Sequence, residues 1–296
     1  MNPPFFQKKP RASALILVLW SIITMSVVVL GVVEYVHYNL DETKGLNFNF
    51  ELRQIAQSGM AFALSPQIEE DDPILQGSIG DQGGRYEVVL ASETARLNIN
   101  FLLQTGREDI LENLFTTWKV PSSEARLVVN DLLDWVGRTG ETPENFALER
   151  RFTTVEQMRA VPSMEKIDAR KPDWPEALTI WGDGKLDIND ATTEILQAVF
   201  GIGERKALSF VQYRLGPDKL DNTLDDQPYT DMQIIAGALG LTETQFAPYV
   251  ALLSLETQLT RVESTATLGS RKLQIRSIIN RTAQPPIIFQ WQEVPL

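Results

Sequence analysis

The sequence predicts an α+β fold: a long N-terminal helix, a small antiparallel sheet, and a large all-α insertion that separates the strands of the sheet along the chain. Three observations carry this. The run from residue 12 to residue 33 holds no charged side chain, and helical apolar spacing continues to about Leu64 with no proline after Ser13. Tyr86, Val88 and Leu90 alternate with polar neighbours, and comparable strand patterns return only near the C-terminus. The chain between them, from about Asn98 to Val250, reads as short helices.

The apolar run is long enough for a membrane-spanning helix, since roughly 20 apolar residues cross a bilayer core. Lys8, Lys9 and Arg11 precede it with no acid among them. The positive-inside rule then keeps the N-terminus cytoplasmic and places the chain after Val33 on the far side of the membrane. A cleaved secretory signal has a shorter apolar stretch and a small-residue cleavage site after it. Here the run passes directly into Glu34, Tyr35 and His37. The continuation from residue 38 to 64 is amphipathic, with Leu52, Ile55, Ala56, Gly59, Met60 and Ala63 at helical spacing.

After the helix, residues 65–84 read as an acidic linker carrying Glu69, Glu70, Asp71, Asp72 and Pro73. Gly84–Leu90 is a strand. The remaining strand candidates are Leu252–Gln258, Thr260–Thr267, Leu273–Arg281 and Ile287–Trp291, with a hairpin turn at Leu-Gly-Ser-Arg after Thr267.

The helical region contains an internal repeat. Arg96–Asn100 (RLNIN) precedes a helix, then Lys119-Val120-Pro121, then a second helix beginning near Glu124. Lys185–Asn189 (KLDIN) precedes a helix at Ala191–Phe200, then Gly201-Ile202-Gly203, then Glu204–Arg214. Ser122, and Asp190 or Thr192, are the expected helix N-caps.

Composition excludes several function classes. There is no cysteine and one histidine, so disulfides, thiolate chemistry and a Cys/His zinc cage are ruled out. A net charge of −12 repels phosphate backbones, so nucleic acid is not an expected partner. No Walker loop and no Gly-x-Ser-x-Gly elbow occurs, and no enzyme activity is expected. Any bound metal must be held by oxygen ligands, which suits Ca²⁺.

The richest oxygen cluster is the loop Leu215–Asp231, with Asp218, Asp221, Asn222, Asp225, Asp226 and Asp231. So many carboxylates repel one another unless they are solvated or bridged by a cation. Asp218, Asp221, Asp225 and Asp226 are the candidate ligands, although the order is not that of an EF-hand. Asp183–Asp190 partly matches a second calcium-loop pattern, and equally reads as a glycine turn leading into the helical repeat. Gly201-Ile202-Gly203 is compatible with a helix-hairpin-helix turn, whose backbone N–H groups can meet phosphates. It is also an ordinary tight turn between short helices. These motifs leave a membrane-anchored DNA-binding protein of the DNA-uptake type, and an anchored calcium-binding adhesin, as alternatives.

The basic leader, apolar helix and amphipathic extension, followed by a sheet with a helical insertion and by Leu132-Leu133-Asp134-Trp135 within it, resemble type IV pilin-like proteins. Within them they resemble the K subunit of the type II secretion minor pseudopilins (general secretion pathway protein K, the GspK family). The resemblance covers nearly the whole chain. It implies a prepilin-type leader, residues 1–12, cut by prepilin peptidase between Ala12 and Ser13, with alanine standing where the family usually has glycine. Pilins usually carry glutamate at the fifth mature position, here Leu17, and its loss is a feature of K subunits. A subunit lacking that carboxylate cannot pair it with a neighbour's terminal ammonium in lipid, which suits the end of a fibre.

The organisation implied is a transmembrane helix at 13–37, its continuation at 38–64, a pilin-like α+β domain from 65–97 and 251–296, and a helical insertion at 98–250 built from two helix-hairpin, SAM-like modules. The function implied is a minor pseudopilin at the tip of the type II secretion pseudopilus, promoting its assembly and protein export. Its partners would be minor pseudopilins I and J, the prepilin peptidase, other secretion components and the inner membrane, with the C-terminal domain periplasmic. Calcium binding in the helical domain is also implied.

Overall fold

The computed structural model describes residues 11–80, 83–139, 147–221 and 223–294. Lys8, Lys9 and Asn222 lie outside the described residues, as do the side chains of Ala12, Ser13 and His37. The chain divides into two compact units, Met1–Gln54 and Ile55–Leu296.

The described part of the first unit is helical. One helix, α1, runs Arg11–Ala63 and so continues past the division. Within it Leu15–Val36 is a 22-residue apolar span, none of it buried, long enough to cross a membrane by length and composition. The hydroxyls of Ser21, Thr24 and Ser26 donate to the carbonyls of Leu17, Trp20 and Ile22 at 2.9, 2.9 and 2.8 Å. Each polar group is thus satisfied inside its own helix, as a hydrocarbon environment requires.

The second unit joins a five-stranded antiparallel sheet to a helical domain. The strands are β1 (Gln76–Ile79), β2 (Gly84–Ser92), β9 (Thr260–Leu268), β10 (Arg271–Asn280) and β11 (Ile287–Val294), in the order β1-β2-β9-β10-β11. β9 and β10 form a hairpin on the two-residue turn Gly269–Ser270. β2 joins β9 from far along the sequence, with Val88 opposite Ser264 and Leu90 opposite Val262. Both strands alternate strictly: Tyr86, Val88, Leu90, Val262 and Ala266 are buried, and Arg85, Glu87 and Val89 face out.

The last turns of α1, from Ile55 to Ala63, cover the buried face. Ser264 Oγ donates to the Ala56 carbonyl at 2.7 Å. A Cβ at Gly59 would stand 2.6 Å from Ser264 Oγ and 2.9 Å from Val88 Cγ2. Glycine at this position is what lets the helix backbone approach the sheet so closely.

Two sequence expectations need correction here. β1 lies inside the stretch read as an acidic linker; its Gln-Gly-Ser-Ile sequence offers little apolar alternation. The strand expected at Leu252–Gln258 shrinks to β8, Leu253–Ser254, because a 3₁₀ turn occupies Ala247–Leu252.

The helical insertion is two modules built alike. Module one opens on β3 (Leu97–Asn98), continues through α2 (Ile99–Gln104), α3 (Glu108–Thr117) and α4 (Ser122–Val136), and closes on β6 (Leu178–Thr179). A short pair, β4 (Arg138–Thr139) and β5 (Ala147–Leu148), and a one-turn helix, α5 (Glu165–Asp168), lie between α4 and β6. Module two opens on β7 (Leu186–Asp187), continues through α6 (Thr193–Phe200), α7 (Glu204–Arg214), α8 (Met232–Leu239) and α9 (Glu243–Phe246), and closes on β8. β3 pairs with β6 and β7 with β8, both in parallel.

The repeat read from the sequence therefore marks where each module begins. The asparagine that ends each copy, Asn100 and Asn189, does the same work. Asn100 donates from Nδ2 to the Phe152 carbonyl and accepts from the Phe152 N–H, both at 2.9 Å. Asn189 binds Tyr229 in the same two-point way.

The turns between α3 and α4 and between α6 and α7 also correspond. Lys119 and Gly201 take left-handed backbone, φ 65° and 62°, and the next residues, Val120 and Ile202, are buried. The entry to α4 departs from expectation, and the entry to α6 takes one of the two caps expected there. Pro121, not Ser122, occupies the N-cap of α4. Thr192, not Asp190, caps α6, accepting from Ile195 N–H.

α3 packs on α6, fixed by Asn113 Nδ2 on the Ala198 carbonyl at 3.1 Å and Trp118 Nε1 on Glu194 at 2.8 Å. One buried cluster, running from Leu97 to Leu253 and including Phe115 and Trp174, serves both modules. Trp135 of the Leu-Leu-Asp-Trp motif stacks on Phe152 at 4.4 Å with the Arg150 guanidinium 5.0 Å from its ring centroid, so this tryptophan is a packing residue.

Candidate functional site

Two regions hold the residues singled out by the sequence: the start of α1 and the acidic loop after α7. Ala12 and Ser13 lie on α1, and Leu17 is exposed on the apolar span.

The acidic loop begins where α7 ends at Arg214. Arg214 is buried and its Nη1 donates to the carbonyls of Ile188 at 3.1 Å and Ala191 at 2.7 Å, holding the turn that enters α6. The chain then folds back on itself. Gln227 N–H donates to the Arg214 carbonyl at 2.6 Å. Gly216, at φ 63°, has the Asp225 carbonyl oxygen hard against the place its Cβ would occupy, so a side chain there would collide with main chain.

Asp218 and Asp225 shape this loop. Asp218 Oδ1 accepts from Leu220 N–H at 2.8 Å. Asp225 Oδ2 accepts from Asp218 N–H at 3.0 Å and its Oδ1 from the Thr223 hydroxyl at 2.9 Å. These bonds, that of the Asp218 backbone first, hold the Asp225 carboxyl below its ordinary value. Lys219 Nζ donates to the carbonyls of Gln212 and Gly216 at 2.8 and 2.6 Å.

Asp226 Oδ2 accepts from Thr223 N–H at 3.0 Å, while its Oδ1 is buried with no hydrogen-bond partner among the described residues. Asp221 turns the other way, into a cavity of about 140 Å³ that Glu70 and Asp190 also line. Thus the four aspartates do not form one preformed cage. Among the described residues no group of three or more His, Cys, Asp or Glu side chains is placed to hold a metal ion.

The cavity brings together acids that the sequence keeps far apart. Burial, reinforced by Asp190 and Asp221, pushes the Glu70 carboxyl up to about 8. Burial, then Asp187, pushes Asp190 up to about 7, against the opposing pull of Arg214. Arg281 reaches from the end of β10 toward Glu70 and donates to the Ser65 carbonyl at 2.5 Å and to that of Ile68. Glu70 read only as linker, and Asp190 as a helix cap. Nothing in the local pattern signals their proximity.

Asp187 is occupied elsewhere. Its Oδ2 accepts from the Ser92 hydroxyl at 2.8 Å and the Thr257 hydroxyl at 2.7 Å, which ties the end of β2 to module two. Asp183 Oδ1 accepts from Lys185 N–H at 3.0 Å. The Asp183–Asp190 stretch therefore forms a turn with structural hydrogen bonds.

Gly201-Ile202-Gly203 does join two helices as a hairpin, with Gly201 and Gly203 open to solvent. Glu204 heads α7, and Lys206 Nζ sits 3.5 Å from the Gly240 carbonyl at the C-terminus of α8, a favourable end for a cation.

Comparison with known proteins gives one kind of match. No protein-family model matches the chain, and no curated protein matches it. Among solved structures it is similar to a chain of the GspK–GspI–GspJ complex from the type 2 secretion system of enterotoxigenic Escherichia coli, with a TM-score of 0.60 and 15% identity over 88% of this chain and 99% of that chain. The likeness is one of fold.

Proposed function

We propose that this chain is a minor pseudopilin of a type II secretion system, occupying the tip of the pseudopilus and promoting its assembly and protein export across the outer membrane. The observation that carries the reading is the fold likeness to a component of a three-pseudopilin complex over almost the entire chain, joined to an N-terminal span apolar enough for a membrane. The mechanism is assembly and not catalysis. The apolar helix packs against helices of the same kind, first in lipid and then in the fibre. The helical insertion widens the subunit so that none stacks above it.

On this reading the partners are minor pseudopilins I and J, other secretion components and the inner membrane. Nucleic acid is not among them, in keeping with the net charge of −12. The N-terminus faces the cytoplasm, where prepilin peptidase removes residues 1–12. Leu17, an apolar residue where pilins place glutamate, is the feature that suits a terminal position.

Calcium is a separate part of the proposal. The mutual repulsion of Asp190, Asp221 and Asp226 favours a cation near the loop. Binding by Asp218, Asp221, Asp225 and Asp226 would require Asp218 and Asp225 to give up loop hydrogen bonds.

Processing tests the reading. After co-expression with an active prepilin peptidase, the mature chain should begin at Ser13 by mass measurement. A chain that keeps Met1 under those conditions overturns it.

A further inference from the structure

We draw no further inference here: the strongest candidate, the open edge of β11 with half-exposed Ile287, Ile288, Phe289 and Trp291, carries nothing because no feature of the structure shows what covers it.

Discussion

Asn189 grips Tyr229 by both of its backbone groups: Oδ1 accepts from the Tyr229 N–H at 2.8 Å and Nδ2 donates to the Tyr229 carbonyl at 3.1 Å. The same Nδ2 reaches the Leu255 carbonyl at 3.1 Å. One side chain at the start of module two thus fixes the end of the acidic loop and the segment leaving β8. Replacing it should free three main-chain groups at once. Asn189→Ala is expected to cost about 2–4 kcal/mol in urea unfolding of the full chain in detergent. Asn100→Ala, which frees the two groups of Phe152, should fall in the same range. A loss under about 0.5 kcal/mol in both would remove the asparagines from the account.

The approach of α1 to the sheet depends on the missing side chain at Gly59. Gly59→Leu should destabilise by about 3 kcal/mol or more, since Ser264, Val88 and Tyr86 already stand within 3.0 Å of the added Cβ. Gly237→Ala, in α8 with nothing within 4 Å, should be neutral or stabilising by up to about 1 kcal/mol. Thermal unfolding of the two variants side by side separates a steric cause from a general intolerance of substitution.

The acid-lined cavity predicts a pH dependence of definite sign. Unfolded, Glu70 and Asp190 titrate near their ordinary 4.5 and 3.8; folded, they hold their protons to about 8 and about 7. The folded state therefore binds more protons across that interval, and the contribution of these groups to stability is full below about pH 4 and lost as pH rises toward about 8. Glu70→Gln should accordingly raise Tm relative to wild type at pH 8.5 and leave it nearly equal at pH 4. An equal shift at both pH values would contradict the half-buried placement of Glu70 in the acid-lined cavity.

β2 and β9 were the most legible part of the fold in the sequence, because they bury every second residue and so write their faces into the alternation. The two-module insertion was legible for a different reason. The Leu-x-Ile-Asn entries recur because the asparagine ending each has the same two-point task in both copies. β1 was not legible, since an edge strand carrying Gly77 buries too little to leave a pattern. Nor was the joining of Glu70 to Asp190, which depends on how distant segments pack and not on any local spacing. Among the loop aspartates, position in sequence suggested one cluster. The structure divides them, because backbone N–H groups compete successfully for Asp218 and Asp225.

Calcium has its own test. Wild-type Tm measured with calcium and with a chelator should differ by several degrees if the loop closes on an ion, and Asp221→Asn and Asp226→Asn should each shrink that difference. No difference in the wild type removes calcium from the proposed function and leaves the fold account intact.

The central claim is assembly with pilin-like partners. Its most direct test is co-expression of the tagged full chain with the two other minor pseudopilins of the same genome, followed by detergent extraction, affinity purification and mass measurement of the product. The account predicts one complex holding all three chains, retained at high salt because apolar helix packing is not screened. Recovery of the tagged chain alone, with the two others expressed and folded, would contradict it.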